Sequence, residues 1–333
     1  MKKELKQSNI EVANFSISKE YIANSLLDYT EVYDNGIYFD PPINPKDLIS
    51  LLRKGPYHAS AISAKVNILT STFKPTKLLS RIEFEKVAFN FIVTGNAYLE
   101  TIRNRLGQPI EFKCRLSAYM RRASDLKNYI LLDSKNRILQ TEKIDGHNIA
   151  HITQPDLTQE IYGMPYYLSC IDSIELNKSA TRFRRRYYDN GSHAGFILYA
   201  TDAGISTDDW NTLKKTLKES KGDGNFRNVF LHSPNGNKDG LQLMPISEIA
   251  AKDDFLNIKN LSSDDMLAIH RVPPKLMGLM PKTSGSLGSA ETDAKVFATN
   301  EIFPLQQKFK AVNDQFNAKI FEFDKYEIGA ASQ

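Results

Sequence analysis

The sequence predicts an α+β fold, and three observations carry that prediction. Apolar residues recur at spacings of three and four over 45–69, 81–93, 165–188 and 290–320, the period of helices with one face against a core. Over 95–155 apolar and polar residues alternate in short runs separated by turn residues, the pattern of an antiparallel sheet. The 333 residues are 41% hydrophobic and 25% charged, the balance of a chain that folds, with length for one large domain or two smaller ones.

Residues 1–40 show little periodicity beyond a strand-like piece around Ile37–Phe39, and the prolines of 41–45 mark a loop, because proline fixes φ and lacks the N–H. Leu48, Leu51 and Leu52 give a first helix; beyond Gly55-Pro56, Ala59, Ile62, Val66 and Leu69 give a second. From Arg81 to about Val93 a third carries Phe84, Val87, Ala88 and Phe91 on one face, with Ser80 as N-cap and Glu83 completing a capping box. Gly95-Asn96 ends it. A hairpin follows through Tyr98, Ile102, a turn at Leu106–Gln108, Ile110 and Cys114, and Tyr129–Leu132, Ile138–Thr141 and Ile149–Thr153 are expected to join the same sheet.

A long helix from about Pro165 to Tyr188 is stopped by Asp189-Asn190-Gly191. Phe196–Tyr199 reads as a strand, Ser206 as the cap of a short helix through Trp210, Leu213 and Leu217, and Val229–Leu231 with Leu241–Met244 as a second hairpin. Ile249, Phe255, Ile258 and Leu261 mark a helix, and Ser262-Ser263 the capped start of a piece ending at His270. Residues 280–289 are loop by composition. The last helix, about Ala290 to Ile320, holds Pro304 in its interior, where the ring meets the carbonyl of Asn300 and a kink is expected; a short strand, Ile320–Phe323, follows.

The net charge is +4, from 43 basic and 39 acidic residues, with a pI near 8.7, which permits contact with nucleic acid without demanding it. Cys114 and Cys170 stand far apart in no metal spacing, which fits a reducing compartment. The N-terminal MKKELKQSNIEVANF has no apolar h-region, so no secretory signal is expected, and no run approaches the ~18 apolar residues of a membrane span.

A search for chemistry returns nothing specific. His147 and His151 have the spacing of a helical zinc pair, but Asn148 stands where glutamate is needed and Gly146 suggests turn and strand, so they read as two surface histidines. GLMPKTSG, 278–285, resembles a phosphate-binding loop, but Pro281 replaces the glycine before Lys282-Thr283. Asp253-Asp254 and Asp264-Asp265 could suggest paired cations, yet adjacent helical residues point about 100° apart and need partners to converge. Arg182, Arg184, Arg185 and Arg186 suit the negative end of a helix. Lys214, Lys215, Lys218 and Lys221 share one side of a short helix, which reads first as a solvated face. No catalytic, cofactor or metal residues are assigned.

Four segments carry a resemblance: LLSRIEFEKVAFNFIVTGNAYLE (78–100), QEIYGMPYYLSCIDSIELNKSATRFRRRYYDNGSHAGFILY (159–199), GDGNFRNVFLHSPNGNKDGLQLMPISEIAAKDDFLNIKN (222–260) and HRVPPKLMGLMP (270–281). In this order they resemble the portal proteins of tailed phages, most of all the PBSX-type branch, over about Tyr29 to Phe316. The resemblance implies a non-enzymatic subunit of a ring, usually of twelve, at one capsid vertex. Double-stranded DNA would pass through it non-specifically, driven in by terminase and released to the tail. It implies capsid or scaffold protein and head-completion or tail proteins as further partners, no cofactor and no membrane, with assembly in the host cytoplasm and residence in the virion.

It also implies a division of the chain: an α/β wing at 1–160, a first stem helix at 161–192, a small αβ clip at 193–245, a second stem helix at 246–272, a tunnel loop at 273–289, and at 290–333 the kinked helix with a C-terminal wing strand and a minimal crown. Lys282, Thr283, Ser284, Gly285, Ser286 and Gly288 would then line the DNA channel, and Lys214, Lys215, Lys218 and Lys221 would sit on the clip facing terminase. A loop with one lysine among small residues suits sliding, since a cationic lining would bind every phosphate by counterion release. The competing readings are another virion structural or adaptor protein and a metal-dependent packaging nuclease.

Overall fold

The computed structural model describes residues 32–132, 142–189, 196–200, 241–245, 251–279 and 289–326. Helices α1 (Pro45–Leu52), α2 (Pro56–Thr72) and α3 (Arg81–Thr94) come first, each begun by a suitable residue. Asn44 accepts the Lys46 N–H, Pro56 occupies a first turn that needs no N–H, and Ser80 accepts from the Glu83 N–H. Glu83 does not complete the capping box. Its carboxylate takes the Cys114 amide at 2.8 Å and Lys86 at 2.6 Å, which ties α3 to an edge strand and occupies an amide that another chain could have paired.

The single sheet expected over 95–155 is two. In one, β3 (Asn96–Arg103) lies between β4 (Pro109–Arg115) and β8 (Ile149–Thr153). In the other, β1 (Tyr33–Asp34), β2 (Tyr38–Asp40), β5 (Met120–Ala123), β6 (Tyr129–Leu131) and β7 (Glu142–Ile144) follow one another antiparallel. Alternation identifies a strand but not its partner, and β5 and β7 are too short to show it; the strand expected at Ile138–Thr141 lies outside the described residues. β3 is buried on both faces: Ala97 and Leu99 meet the helices, while Tyr98 packs with Met120, Tyr129, Ile144 and Ile149 between the sheets.

A 3-10 turn, Tyr166–Cys170, leads into α4 (Ile171–Asp189), so the expected long helix is regular only from Ile171. β9 (Phe196–Ala200) pairs antiparallel with β10 (Leu241–Pro245), Leu241 opposite Ala200; the partner expected at Val229–Leu231 and the helix capped by Ser206 lie outside the described residues. α5 (Ala251–His270) is one unbroken helix. Ser262 and Ser263 are therefore not a helix start. Their hydroxyls donate back to the carbonyls of Ile258 and Asn260 at 2.7 Å, which frees them from capping.

The last helical stretch is α6 (Ala290–Phe297), a π-helical turn (Ala298–Ile302) and α7 (Phe303–Phe316). A kink is expected at Pro304; the structure places a π-helical turn just before it, which absorbs the missing N–H. α7 ends at Phe316, short of Ile320, because Asn317 turns left-handed at φ 46°. The strand expected at Ile320–Phe323 is a single bridge from Phe323 to Phe73.

The core lies where α2, α3 and α7 meet residues 320–323. Phe84 stacks on Phe73 at 4.3 Å and meets Phe309 edge-on at 5.4 Å, and Phe309 stacks on Phe321 at 5.8 Å. All four are 1% exposed or less. Gly95 and Gly163 lock the first sheet to the approach to α4. Gly95 has φ +72°, and a Cβ at Gly163 would lie 2.1 Å from the Gly95 carbonyl, so neither place admits a side chain. Asn96 completes the lock, donating to Gly163 O at 2.7 Å and accepting from Gly163 N at 2.8 Å.

Candidate functional site

Helices α4 and α5 meet along a polar seam. Asn177, Ser262 and Ser263 are each 2% exposed or less, and Asn177 Nδ2 donates to Ser262 Oγ at 2.8 Å. Ser173 donates to Asp265 at 2.8 Å. Small hydroxyl residues let the two backbones approach, and the bonds fix the register of one helix on the other. The outer surface is unlike the seam: Leu176 is 50% exposed and Leu261 67%.

At the end of α5 the chain is clasped. Arg271 follows the helix in the left-handed region at φ 52°, unusual for a residue with a side chain. Its guanidinium pairs with Glu301 at 2.9 Å, and Lys65 of α2 pairs with the same carboxylate at 2.9 Å. Burial pulls the Lys65 ammonium below the usual lysine range, and Glu301 works against that shift. A 3-10 turn, Pro274–Met277, then packs on α6, where Lys275 meets Asp293 at 3.5 Å. The segments flanking 280–288 are therefore joined twice, once through the π turn and once through α6.

Behind the clasp lies a histidine pair. His58 Nδ1 and His270 Nε2 are 2.9 Å apart in the core, beside the ring of Tyr167. His58 Nε2 has no hydrogen-bond partner. An unpaired acceptor is the cheaper buried orphan, so we assign the proton to His58 Nδ1, which donates to His270. Burial lowers His58 to about 4 and, with the positive potential of its neighbours, His270 to about 2. Both are neutral at pH 7.

The channel residues expected from the sequence, Lys282, Thr283, Ser284, Gly285, Ser286 and Gly288, lie outside the described residues, as do Lys214, Lys215, Lys218 and Lys221. His147 is exposed in a 3-10 turn, as expected. His151 is not a surface histidine. It stacks on Tyr98 at 4.2 Å, bonds Asn96 at 3.0 Å, and is lowered to about 3 by burial. The two lie on different elements, a turn and a strand, which breaks the helical metal spacing. Asp253, Asp254, Asp264 and Asp265 share α5, and Asp265 is engaged by Ser173. Among the described residues no cluster of three or more histidine, cysteine or acidic side chains could hold a metal ion, and no helix is long and apolar enough to cross a membrane. Sequence reasoning missed Lys65, Arg271, Glu301 and Asn177. A lysine within an apolar helical stripe and an asparagine at a buried helical position were the available signals.

A family model described as phage portal protein matches residues 57–331. The probable portal protein of Escherichia phage P2 is 42% identical over 303 residues, covering 91% of this chain and 87% of the relative. That of Haemophilus phage HP1 is 36% identical over 303 residues, covering 88% and 86%. Two solved structures share the fold. The neck of a native gene transfer agent particle computed with C12 symmetry superposes with a TM-score of 0.60 at 18% identity over 87% of both chains. An HK97 family phage portal protein from Corynebacterium diphtheriae superposes with a TM-score of 0.60 at 14% identity, over 83% of this chain and 94% of the other.

Proposed function

The chain belongs to the phage portal protein family, and from that premise we propose that it closes into a ring, of twelve subunits, at one vertex of a capsid. Terminase drives double-stranded DNA in through the ring, and the DNA leaves through it into the tail. The single observation that carries this reading is the likeness to the P2 portal protein over 91% of the chain. We place the chain in the PBSX-type branch, assembling in the host cytoplasm with capsid or scaffold protein and later with head-completion or tail proteins. The chain acts as a structural channel without chemistry of its own.

The division of labour follows the fold. Residues 1–160 form the wing, 161–192 and 246–272 the stem, 193–245 the clip, 273–289 the tunnel loop, and 290–333 the kinked helix and the end of the wing. One feature supports a ring. The α4–α5 pair has a polar seam and leaves Leu176 and Leu261 half or more exposed, so by itself it buries little apolar surface. Neighbours in a cyclic assembly supply the missing cover. The clasp of Arg271 and Lys275 on Glu301 and Asp293 supports the tunnel-loop reading, because a loop against moving DNA needs a rigid base. Lys282 meets phosphates there, and Lys214, Lys215, Lys218 and Lys221 face terminase from the clip.

Native mass measurement and negative-stain imaging of the pure protein test the ring: closed rings with a hole of about 20 Å or more, the width of a duplex, are expected. Monomer under every condition overturns it. For the loop, Lys282→Ala and a deletion of Ser284–Ser289 are expected to lower DNA packaging while rings still form. Normal packaging by both places the tunnel loop elsewhere.

A further inference from the structure

We propose that the groove beside α7 receives the loop around Leu157 of a second copy of this chain. This rests on the ring reading above and adds which two surfaces meet. The groove has a volume of about 890 Å³ and is walled by α6, the π turn, α7 and residues 323–326. Its apolar lining includes Ala294, Ala298, Ile302 and Phe303, and Phe303 is 56% exposed. Three lysines, Lys295, Lys310 and Lys325, also line it, against Glu291 and Asp324. Glu291 is held by Lys295 at 2.8 Å, and Asp324 by Lys74 at 2.6 Å from outside the groove. Lys310 has no ion-pair partner among the described residues, so the wall carries uncompensated positive charge.

The loop after β8 is its complement. Leu157 is 103% exposed, the highest value of any large apolar side chain among the described residues. It stands between Asp156 and Glu160 on a shaped turn, since Asp156 accepts the N–H of Thr158 at 2.8 Å and its hydroxyl as well. An apolar tip flanked by acids matches an apolar groove with excess lysine in both respects.

The two surfaces face opposite ways. Lys308 donates to Gln154 at 2.6 Å, and Gln315 donates to Ile149 O at 3.2 Å, so these positions of α7 face β8 and the loop that follows it. Gln306 and Lys310 line the groove. At 100° per residue, 308 and 310 point about 160° apart, with Phe309 entering the core between them. A cyclic ring requires two unlike surfaces turned away from each other on every subunit, so that each copy presents one to each neighbour. The loop and the groove, on opposite flanks of α7, satisfy that requirement.

The test uses the full chain with Leu157→Cys and Lys310→Cys together, assembled, oxidised and run on a non-reducing gel beside a native mass measurement. A ladder of covalent multimers is expected, absent from either single variant. Rings without a ladder overturn the pairing and leave the ring reading standing. A ladder that appears only after removal of residues 327–333 also overturns it, because the groove is then filled by the chain's own C-terminal residues. A wild-type chain that never assembles overturns both readings. A charge swap gives a second measure: Glu160→Lys or Lys310→Glu alone is expected to raise the assembly midpoint about tenfold, and the two together to restore it to within about twofold. Lack of restoration counts against the contact.

Discussion

The core around Phe84 and the seam between α4 and α5 are held together by opposite means. In the first, four phenylalanines, from α3, α7, the residue that follows α2 and the C-terminal segment, are buried against one another, and each contributes about 2–3 kcal/mol by leaving water. In the second, Asn177 donates to Ser262 and Ser173 to Asp265, hydrogen bonds each worth about 1 kcal/mol net. One region is stable within a single subunit. The other is specified but weakly stabilised, and Leu176 and Leu261 stay exposed on it. On the division proposed above, the first belongs to the wing and keeps its shape, and the second belongs to the stem and completes its packing in the assembly.

The sharpest way to break this contrast is in the Phe84 core. Phe84→Ala is expected to destabilise the chain by about 3–5 kcal/mol in denaturant unfolding, because its four aromatic neighbours cannot collapse into the cavity. A loss under 1 kcal/mol ends the claim that this core dominates. Next comes the clasp. Glu301→Gln strands the buried Lys65 ammonium and is expected to cost about 3 kcal/mol, while Lys65→Met combined with Glu301→Leu regains most of it. A double variant no better than the single one means that the pair contributes more than charge balance.

The histidine pair sets a pH dependence. His58 is lowered from 6.5 to about 4, so the unfolded chain binds a proton that the folded chain refuses. Stability is therefore complete above pH 6.5 and falls as the pH drops toward 4, by about 1.4 kcal/mol per unit for each such histidine. His58→Gln is expected to flatten the slope of unfolding free energy between pH 6 and about 4.5 by roughly one proton. An unchanged slope shows that His58 does not titrate as placed. The smallest effects belong to the seam: Asn177→Ala should cost about 1 kcal/mol, and Leu261→Ser under about 0.5 in the monomer. Leu261→Ser should nevertheless weaken ring formation in a native mass measurement. If it leaves assembly intact, Leu261 is not part of the subunit contact.

Much of the fold was legible in order and type. The helices at Pro45, Pro56 and Arg81, the hairpin after Gly95, and the disturbance at Pro304 each have a local cause: a cap, a proline, or an apolar face of the right period. The failures are equally local in origin. Ser262-Ser263 imitates an N-cap, but a serine that bonds the carbonyl of the preceding turn fits a helix interior equally well. Glu83 has the spacing of a capping box, yet the Cys114 amide and Lys86 offered partners that the spacing could not reveal. His151 looked solvated because its neighbours Tyr98, Tyr129 and Tyr162 come from three separate segments.

The sequence by itself determined the α+β class, most helix boundaries and the family, since these depend on residues close along the chain or on their order. The tertiary structure decided the rest: that two sheets share the twice-buried strand β3, that Lys65 and Arg271 meet at Glu301, and that His58 reaches His270 across 212 positions. Burial and pairing at such separations depend on how the faces come together. Periodicity can show that a face exists, but only packing chooses what covers it.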